Sequence, residues 1–461
     1  MRDRRATSGR ILVEAAAGSL LAVAQRAGMT GAAMQTETPL TASATVPGAP
    51  GTATPGQRKR VLVIAYAFSP VLGSEYRQAW ETVGYLARRH DVTVLFGDSD
   101  AIMGGFDHFD AHAARHRLDF AAVKVPATPL QQRLAGVMLR MPWALLFPLL
   151  LRSWHARAFR QAEALHAEQP FDVVHQLGPI GFRNPGYGWR LDCHSYWGPI
   201  GGAQFVDTGM IRNKWSVYHL EALLRNLSVR LQARSGYIAK AARGFDRLSF
   251  ATVENAAYFA RHFGRTGPII SDQGLHADAL PRRTGTGDAR PLRVVWAGSL
   301  TPRKNVAALI DVIRKAPGSV QFDVVGDGPL LAQLSDVAAA HPNVTVHGRL
   351  SRIDVMAVLA AADVILLTSL SEANTAILFE GLENGCIPIA PAINGFVSTL
   401  NDHVGFLIPQ GDPDRAVAAT VAALVALGDP VTRDRYRAAL ADHLPSLSWE
   451  RLGMAHEAQY D

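Results

Sequence analysis

The sequence predicts an α/β protein in which parallel sheets form two domains. Residues Asp363 to Ala390 contain a buried β-branched run, a polar loop and a helical pattern that leads into another apolar run. This is the order of strand, loop and helix in a parallel sheet. A strand, helix and strand pattern also follows Arg60. The chain has 461 residues, 48% of them hydrophobic, which is enough for two domains with separate cores.

Composition narrows the functional classes. The net charge of +6 suits a nucleotide ligand or an anionic membrane surface, but the charged residues are dispersed. Because the sequence has no zinc-finger spacing, RNA-recognition aromatic pattern or long basic run, nucleic acid is not an expected partner. The two cysteines, Cys193 and Cys386, provide neither a disulfide framework nor a metal-ligand pattern. We therefore expect a protein of the reducing cytoplasm.

Residues 1–58 are predicted to be a disordered N-terminal extension. They begin with a basic MRDRR, continue with a run of small residues and end in a tract rich in Thr, Ala, Pro and Gly. A signal peptide is conceivable, but Glu14 interrupts its apolar centre, so export is disfavoured. The alternative that translation starts at Met29 or Met34 stays open.

The first domain opens with a predicted β-α-β unit. Residues Arg60 to Tyr66 read as a buried strand, Ser74 as the N-cap of a helix that runs to about Arg88, and Val92 to Phe96 as the next strand. The helical region 211–245 carries Arg225 and other basic residues, and such a charge run is typical of a solvated face. Further short strands and a domain linker are predicted at residues 250–253, 269–270 and 271–291.

A pair of glutamates follows a predicted strand of the second domain. The strand is Val364 to Leu367, and the helix after its loop has Asn374 as the predicted N-cap and Gly385 as the stop. Glu372 therefore lies in the loop at the carboxyl end of a strand, and Glu380 lies on the helix. Open α/β sheets bind ligands at this edge, where helix amides attract anions.

This glutamate pair resembles the Glu-x7-Glu signature of glycosyltransferase family 4, whose members are retaining enzymes with the GT-B fold. The resemblance implies that Glu380 hydrogen-bonds the ribose hydroxyls of a nucleotide sugar and that Glu372 lies beside the donor sugar. A carboxylate only accepts hydrogen bonds and suits a vicinal diol. The intervening Asn374, Thr375 and Ala376 are expected to offer amides to sugar hydroxyls or phosphate. The alternative is that both glutamates are simply solvated.

A second motif of the same family occurs near the start of the second domain. The segment LRVVWAGSLTPRKN resembles G-R-L-x-x-x-K-G, whose arginine and lysine neutralise the donor diphosphate. Lys304 matches the lysine, whereas Ser299 stands where the arginine is usual and Asn305 replaces the glycine. We expect Arg303 to supply the second cation, because two positive charges stabilise a departing diphosphate without a metal. The alternative is a pair of surface residues before a helix.

Three further segments of the second domain fit the family pattern. Residues 322–329 resemble its V-G-D/E-G-P turn, which is expected to be architectural. Gly348 and Arg349 resemble the segment that reads the nucleobase. Residues 405–412 match the usual ending of the domain, and the last fifteen residues resemble the helix that crosses back to the first domain. The resemblance covers about residues 60–461 and is strongest from 292 to 412.

The first domain carries weaker family features. The loop SPVLGSE resembles the loop that approaches the donor phosphate and the acceptor, with Gly73 in it, although Gly73 could be only a turn glycine. G-x-G-x-x-G is absent, so a dehydrogenase is disfavoured. The resemblance implies that His175 ends a strand and projects into the cleft near the donor sugar. However, Leu177 replaces the second histidine of that motif, and a lone histidine is often structural.

Residues on the acceptor side are implied by a pattern found in a subset of bacterial members. Arg183 belongs to its R-x-P element and residues 197–202 to its W-G-P-x-G-G element. Trp197, Gly201 and Gly202 are therefore expected to face the acceptor, since glycines allow a ligand to approach the backbone. The competing interpretation is a rigid turn in which Trp197 belongs to the core.

One apolar segment bears on membrane contact. Leu139 to Arg152 is too short to span a bilayer, which needs about twenty residues. It reads either as a core helix or as an interfacial helix, because basic flanks and Trp143 suit the headgroup region. Many bacterial relatives act on lipid-linked acceptors, which favours a peripheral contact with an anionic membrane.

The sequence thus predicts a GT-B fold: a disordered extension (1–58), an acceptor domain (59–280), a donor domain (281–445) and a crossing helix (446–461). The expected reaction is transfer of a hexosyl unit from a UDP- or GDP-sugar to a glycan or lipid-linked glycan with retention. Exopolysaccharide or cell-envelope synthesis is the expected setting. No metal and no cofactor beyond the co-substrate is expected. A degenerate nucleotide-sugar binder, an epimerase and a phosphorylase remain alternatives.

Overall fold

The computed structural model describes residues 58–100, 103–138, 147–276 and 290–461. The predicted N-terminal extension, apart from Arg58, lies outside these residues. So do most of the predicted linker and the first eight residues of the apolar segment 139–152, whose remainder begins a helix at Phe147. The described residues form two six-stranded sheets, one in each half of the chain.

The first sheet has the strand order β3-β2-β1-β4-β5-β6, and all neighbours are parallel. Its strands are β1 (Arg60–Ala67), β2 (Asp91–Asp98), β3 (Ala121–Lys124), β4 (Val173–Gln176), β5 (His194–Ile200) and β6 (Arg247–Phe250). The helices of this half are α1 (Glu75–Ala87), α2 (Asp107–Ala113), α3 (Pro129–Met138), α4 (Phe147–Glu168), α5 (Val217–Gln232), α6 (Gly236–Gly244) and α7 (Val253–Phe263).

The second sheet has the strand order β12-β11-β10-β7-β8-β9 and is also parallel. Its strands are β7 (Arg293–Ala297), β8 (Gln321–Val325), β9 (Val344–Gly348), β10 (Val364–Leu366), β11 (Ile387–Pro391) and β12 (Phe406–Ile408). The helices are α8 (Val306–Lys315), α9 (Leu331–Ala340), α10 (Arg352–Ala361), α11 (Ala376–Glu383), α12 (Asn394–Thr399), α13 (Pro413–Ala426), α14 (Pro430–His443) and α15 (Trp449–Glu457).

Both faces of each sheet are covered, which explains why the strands are almost entirely apolar. In β1 every residue after Arg60 is buried. Leu62 and Ile64 belong to one core cluster, whereas Val61 and Val63 belong to another. Because successive side chains of a strand point to opposite faces, the two clusters lie on opposite sides of the sheet. The same alternation occurs in β7. The predicted α/β fold with two doubly wound parallel sheets is therefore confirmed.

Some predicted strands were misplaced. The strand predicted at 250–253 ends at Phe250, and the Thr252 hydroxyl caps the following helix by accepting a hydrogen bond from the Asn255 amide. A side chain that can cap a helix competes with strand formation. The strand predicted at 269–270 is only a single bridge between Phe250 and Ile269.

Two helix caps also differ from prediction. The helix after the glutamate loop begins at Ala376, so Thr375 and not Asn374 is its N-cap. Ser74 does stand at the N-cap of α1, but its side chain makes no capping hydrogen bond. Gly385 has a φ of 73° just after α11, which confirms it as the helix stop.

The C-terminal helix crosses back to the first domain, as predicted. Gly453 of α15 packs against the Tyr85 ring, where an added Cβ would lie 2.2 Å from the ring. The Tyr85 hydroxyl donates a hydrogen bond of 3.1 Å to Glu457. Just before α15, the segment that returns to the first domain pairs with the segment that leaves it, because Leu275 and Ser448 form a parallel bridge.

Among the described residues, no single helix has the length and apolar character needed to cross a membrane. One helix pair, Pro413–Ala426 with Pro430–Leu447, meets the criteria of length and composition but is bent by 101°.

Candidate functional site

The candidate site lies in the interdomain cleft, which we define as the region where loops of the two domains approach each other. The loops after β1 and β4 contribute from the first domain, and the loops after β7 and β10 from the second. Glu75, which begins α1, interacts electrostatically with Asp272, and Asp272 interacts with Glu372. The carboxyl ends of the strands of both sheets thus lie toward the cleft, and α/β proteins bind ligands at this end of a parallel sheet.

Glu372 lies at the centre of a buried ion cluster. Its Oε1 lies 2.6 Å from Lys304 Nζ and 2.6 Å from an Arg303 guanidinium nitrogen. The side chains of Lys304 and Glu372 are only 10% and 11% exposed, whereas that of Arg303 is 42% exposed. The residues predicted from two separate motifs are therefore brought into direct contact.

Backbone contacts hold the two loops of this cluster together. The Thr368 hydroxyl donates to the Lys304 carbonyl (2.6 Å) and accepts from the Trp296 indole N–H (3.0 Å). The Leu370 amide donates to the Arg303 carbonyl (2.9 Å). Asn305 has a φ of 53°, a left-handed conformation that asparagine tolerates better than most residues. This explains how asparagine replaces the glycine of the family motif.

The charges of the cluster compensate each other. Burial alone raises the pKa of Glu372, but the charges of Lys304 and Arg303 and hydrogen bonds from Lys304 and Ser369 outweigh it and lower the pKa below its ordinary value. Burial lowers the pKa of Lys304, and Glu372 opposes this shift. Glu372 is therefore a carboxylate at neutral pH, held between two cations.

Glu380 lies further along α11 at the edge of the cleft. Its carboxylate is 3.5 Å from Arg352, and its side chain is 16% exposed. Burial raises its pKa, while Arg352 and Arg77 of the first domain oppose the shift. Arg77 lies on α1, so Glu380 is within electrostatic range of the first domain.

The end of the glutamate loop is anchored to the chain segment between the domains. The Asn374 side-chain amide donates to Asp272 (2.6 Å), and its oxygen accepts from Thr399 (3.1 Å). Asn374 is thus occupied by protein contacts. Gly395 packs against this loop, because an added Cβ would lie 1.7 Å from the Ala373 carbonyl oxygen. Thr375 and Ala376 begin α11 and are half-buried.

The other predicted donor residues line the rim of the site. Gly348 ends β9 with a φ of 66°, and its carbonyl accepts from the Gly326 amide at 2.8 Å. Arg349, next to it, is exposed. Ser299 lies half-buried in the loop after β7, and Gly73 is exposed in the loop after β1.

The predicted acceptor residues divide into two groups. Trp197 is 2% exposed and packs against Phe245 and Phe259 in the first-domain core. The prediction that it faces the acceptor is wrong, because its side chain is enclosed in this core. Gly202 has a φ of 86°, and Arg183 lies over it. Gly201 is bridged to the β4 loop beside them.

His175 is a structural residue. It is fully buried in β4, with Nδ1 2.9 Å from the Tyr460 hydroxyl and Nε2 2.9 Å from the Gly198 carbonyl oxygen. Burial lowers its pKa to about 4. Both ring nitrogens are therefore committed to protein partners, and the predicted projection into the cleft is not observed.

Three cleft residues were not predicted from the sequence. Glu75 accepts a hydrogen bond from the Ile180 backbone, and burial together with Asp272 raises its pKa to about 7. Burial also raises the pKa of Asp272, to about 6, against the hydrogen bond from Asn374. Arg225 interacts electrostatically with Arg303 across the cleft. For Glu75 a signal existed, because it follows the loop at the end of the first strand.

No group of three or more His, Cys, Asp and Glu side chains that could hold a metal ion occurs within the part of the chain that the structure describes.

Two Rossmann-like domains that face a cleft define the GT-B fold, and solved structures of this fold resemble the chain over most of its length. Residues 284–438 match the family model described as glycosyl transferases group 1. This match covers most of the second domain, including both glutamates and Lys304. No curated protein sequence matches the chain.

Three solved structures illustrate the likeness. Sucrose-phosphate synthase from Thermosynechococcus elongatus is 16% identical with a TM-score of 0.58, covering 87% of this chain and 98% of that one. HepE from Anabaena, in complex with UDP-glucose, is 14% identical with a TM-score of 0.52, covering 87% and 99%. A TarM mutant from S. aureus, in complex with fondaparinux, alpha-GlcNAc-glycerol and UDP, is 10% identical with a TM-score of 0.55, covering 87% and 100%. At these identities, the likeness establishes the fold.

Proposed function

We propose that the protein is a retaining glycosyltransferase of family 4 that moves a hexosyl unit from a nucleoside diphosphate sugar to a glycan or lipid-linked glycan. The observation that carries this proposal is the buried cluster of Lys304, Arg303 and Glu372. It lies at the carboxyl edge of the second sheet, within the segment that matches the group 1 glycosyl transferases. A degenerate binder would use the same two cations to hold the diphosphate, and a turnover assay with a matched acceptor separates it from an enzyme.

The donor is proposed to lie along the second domain. Glu380 would accept hydrogen bonds from the ribose diol, the amides of Thr375 and Ala376 would contact the sugar or phosphate, and Gly348 and Arg349 would contact the base. The HepE complex with UDP-glucose supports a UDP-sugar, and a GDP-sugar is the second choice.

The chemistry is proposed to be a front-face displacement. The bond from the anomeric carbon to the diphosphate breaks, and a bond to the acceptor oxygen forms on the same face. A leaving phosphate oxygen takes the acceptor proton. Lys304 and Arg303 stabilise the negative charge of the leaving diphosphate, which makes a metal unnecessary in this proposal. Glu372 positions the donor sugar and shields the positive charge that develops on it, and no covalent intermediate is required.

We also propose that the protein acts at the cytoplasmic face of an anionic membrane, in exopolysaccharide or cell-envelope synthesis. One face of α5 carries a row of exposed leucines: Leu220, Leu223, Leu224, Leu227 and Leu231. Arg230 and Arg234 flank this row and are suited to anionic headgroups. Flotation with vesicles of phosphatidylglycerol should carry the protein upward, and a Leu223→Asp/Leu227→Asp variant should stay behind. Equal flotation of both would contradict membrane contact through α5.

The proposed donor site is tested by thermal melting of the full chain against UDP-, GDP-, ADP- and dTDP-sugars, beside a Glu380→Ala variant. A specific ligand at one hundred times its dissociation constant should add about 2.7 kcal/mol to the free energy of unfolding. A shift with one base that is lost in the variant supports the donor site and names the nucleotide. No shift with any nucleotide sugar would contradict the proposal.

Product analysis then separates the chemistries. A transferase needs an acceptor, an epimerase converts the nucleotide sugar alone, and a phosphorylase needs phosphate. Conversion of the nucleotide sugar without any acceptor would replace the transferase proposal with an epimerase.

A further inference from the structure

Two arginines on the first-domain side of the cleft have no counterion among the described residues. Arg183 lies in the loop after β4, and Arg225 lies on α5. Within those residues, neither side chain makes an ion pair or a hydrogen bond. Arg183 instead lies over the face of the Phe182 ring, 5.1 Å from its centre. Arg183 is half-buried and Arg225 is exposed, so both guanidinium groups stay accessible, and a cation without a carboxylate partner is available to an anionic ligand.

Arg225 is directed into the cleft by the helix that carries it. Ala222 and Val229 are buried on the inner face of α5. Arg225 lies three residues after Ala222 and four residues before Val229. Residues with this spacing share one face of a helix. The exposed leucines lie on the opposite face. The pKa of Arg225 is lowered by burial and by the charge of Arg303, with Tyr218 and Glu372 opposing.

Arg183 approaches the same region from the loop. One of its guanidinium nitrogens lies 3.8 Å from the position that a Cβ at Gly202 would occupy. Its pKa is lowered to about 10 by burial and by the charge of Arg225, with Tyr258 opposing. The charge of Arg225 therefore reaches the Arg183 guanidinium group.

The facing groups do not neutralise this pair. Glu372 is already shared by Lys304 and Arg303. Glu221, one turn before Arg225 on α5, makes no ion pair with it in the described structure, and its pKa is raised by burial alone. Among the described residues, the arginine pair therefore keeps its positive charge without an ion-pair partner.

We propose that Arg183 and Arg225 form an anion site that binds a phosphate or diphosphate group of the acceptor. This rests on the proposed function and names the acceptor class: a phosphorylated or diphosphate-linked glycan instead of a neutral sugar. A guanidinium presents a planar fork of donors that matches phosphate oxygens. Because Lys304 and Arg303 are assigned to the donor diphosphate, the arginine pair serves a second anion.

The test is calorimetric titration of the full chain with inorganic pyrophosphate and with farnesyl diphosphate, in the presence of saturating UDP or whichever nucleoside diphosphate the melting experiment identifies. The nucleotide fills the donor site. We expect the Arg183→Ala and Arg225→Ala variants each to weaken binding of both probes at least tenfold. Arg243→Ala, at an exposed arginine in the last turn of α6, should change it less than twofold. If farnesyl diphosphate binds more tightly than pyrophosphate, the acceptor is identified as lipid-linked. If the two probes bind equally, the site recognises only the phosphate groups.

The outcomes separate this inference from the proposed function. If the nucleotide binds but neither probe does, or if both variants bind the probes as well as the wild type, the anion site is overturned while the donor site stands. If no nucleotide binds, the proposed function fails, and the same titrations without nucleotide still decide whether the arginine pair binds an anion. Arg225→Ala should melt no lower than the wild type, because Arg225 has no ion partner among the described residues to lose, so weaker probe binding in this variant reports on the site and not on the fold.

Discussion

The two sides of the cleft differ in whether their charged side chains are paired. On the second-domain side, Lys304 and Arg303 share the Glu372 carboxylate, and Arg352 lies 3.5 Å from Glu380. On the first-domain side, the arginine pair has no carboxylate partner in the described structure, and carboxylates there have raised pKa values.

This difference indicates which half is complete before substrates arrive. A cluster whose charges already compensate each other is rigid and preorganised, which favours stabilisation of a transition state. A surface with uncompensated charge gains more when a charged ligand binds. The second domain is thus organised in advance, whereas in the proposed function the first domain is completed by an anionic ligand. The substitutions below either disrupt the charge-compensated side of the cleft or test how it differs from the first-domain side.

Removing the buried cation should have the largest effect. In the proposed mechanism, Lys304→Ala removes a buried donor from the leaving diphosphate, and we expect kcat to fall by about 10²- to 10³-fold, or about 3–4 kcal/mol. The measurement is steady-state kinetics with the identified nucleotide sugar and acceptor. Lys315→Ala is the matched control, because Lys315 is a half-exposed lysine at the end of α8. Full activity of the Lys304 variant would exclude the diphosphate role.

Glu380→Ala should act mainly on donor binding. A carboxylate that accepts hydrogen bonds from a ribose diol contributes about 1.5–3 kcal/mol, so the KM for the donor should rise about 10- to 100-fold with a smaller change in kcat. Glu383→Ala, one turn further along α11, provides the control. A fall in kcat with an unchanged donor KM would show that Glu380 acts on the chemical step instead.

Glu75 should make stability depend on pH. Its pKa is raised from 4.5 to about 7 in the folded protein, so its contribution is fully present below pH 4.5 and is lost as the pH rises through 7. Glu75→Gln keeps the uncharged form. Between pH 5 and 8, the wild type should therefore lose on the order of 2 kcal/mol of unfolding free energy relative to the variant. Urea denaturation at both pH values measures this, and parallel pH dependence would contradict it.

Arg352→Ala should have the smallest effect. The Arg352 side chain is 56% exposed and its distance to Glu380 is 3.5 Å, and exposed ion pairs contribute about 0–1 kcal/mol. The KM for the donor should rise less than about fivefold. A larger rise would show that Arg352 contacts the nucleotide itself.

The second domain could be predicted well because its site is local. Buried strands, the polar loops after them and the motif spacing together placed Lys304 and Glu372 at one edge of one sheet. Their direct contact could not be predicted, since it depends on the sheet order that sets β7 beside β10. Whether Arg303 fills the role of the arginine missing at position 299 stays a prediction, although Arg303 does reach Glu372.

The first domain was predicted less well because its site depends on long-range packing. His175 resembles a catalytic histidine in its own segment, but Tyr460, from the far end of the chain, covers it. Arg225 is one of several basic residues in its region, and only the packing of α5 determines that it faces the cleft. Trp197 is similar, because no local pattern shows on which side of β5 a tryptophan lies.

The paired connections between the domains constrain how the cleft can open. The Leu275 amide donates to the Leu447 carbonyl (3.0 Å), and the Trp449 amide donates to the Leu275 carbonyl (2.9 Å). Because the two connecting segments are hydrogen-bonded to each other, they can act as a pivot between the domains. Sliding one segment along the other would break both hydrogen bonds, whereas rotation of the domains about this point preserves them. Asp272 lies three residues from this pivot and would shift little during such a swing. Its contact with Asn374 can therefore keep the loop of Glu372 aligned while the distant rims separate.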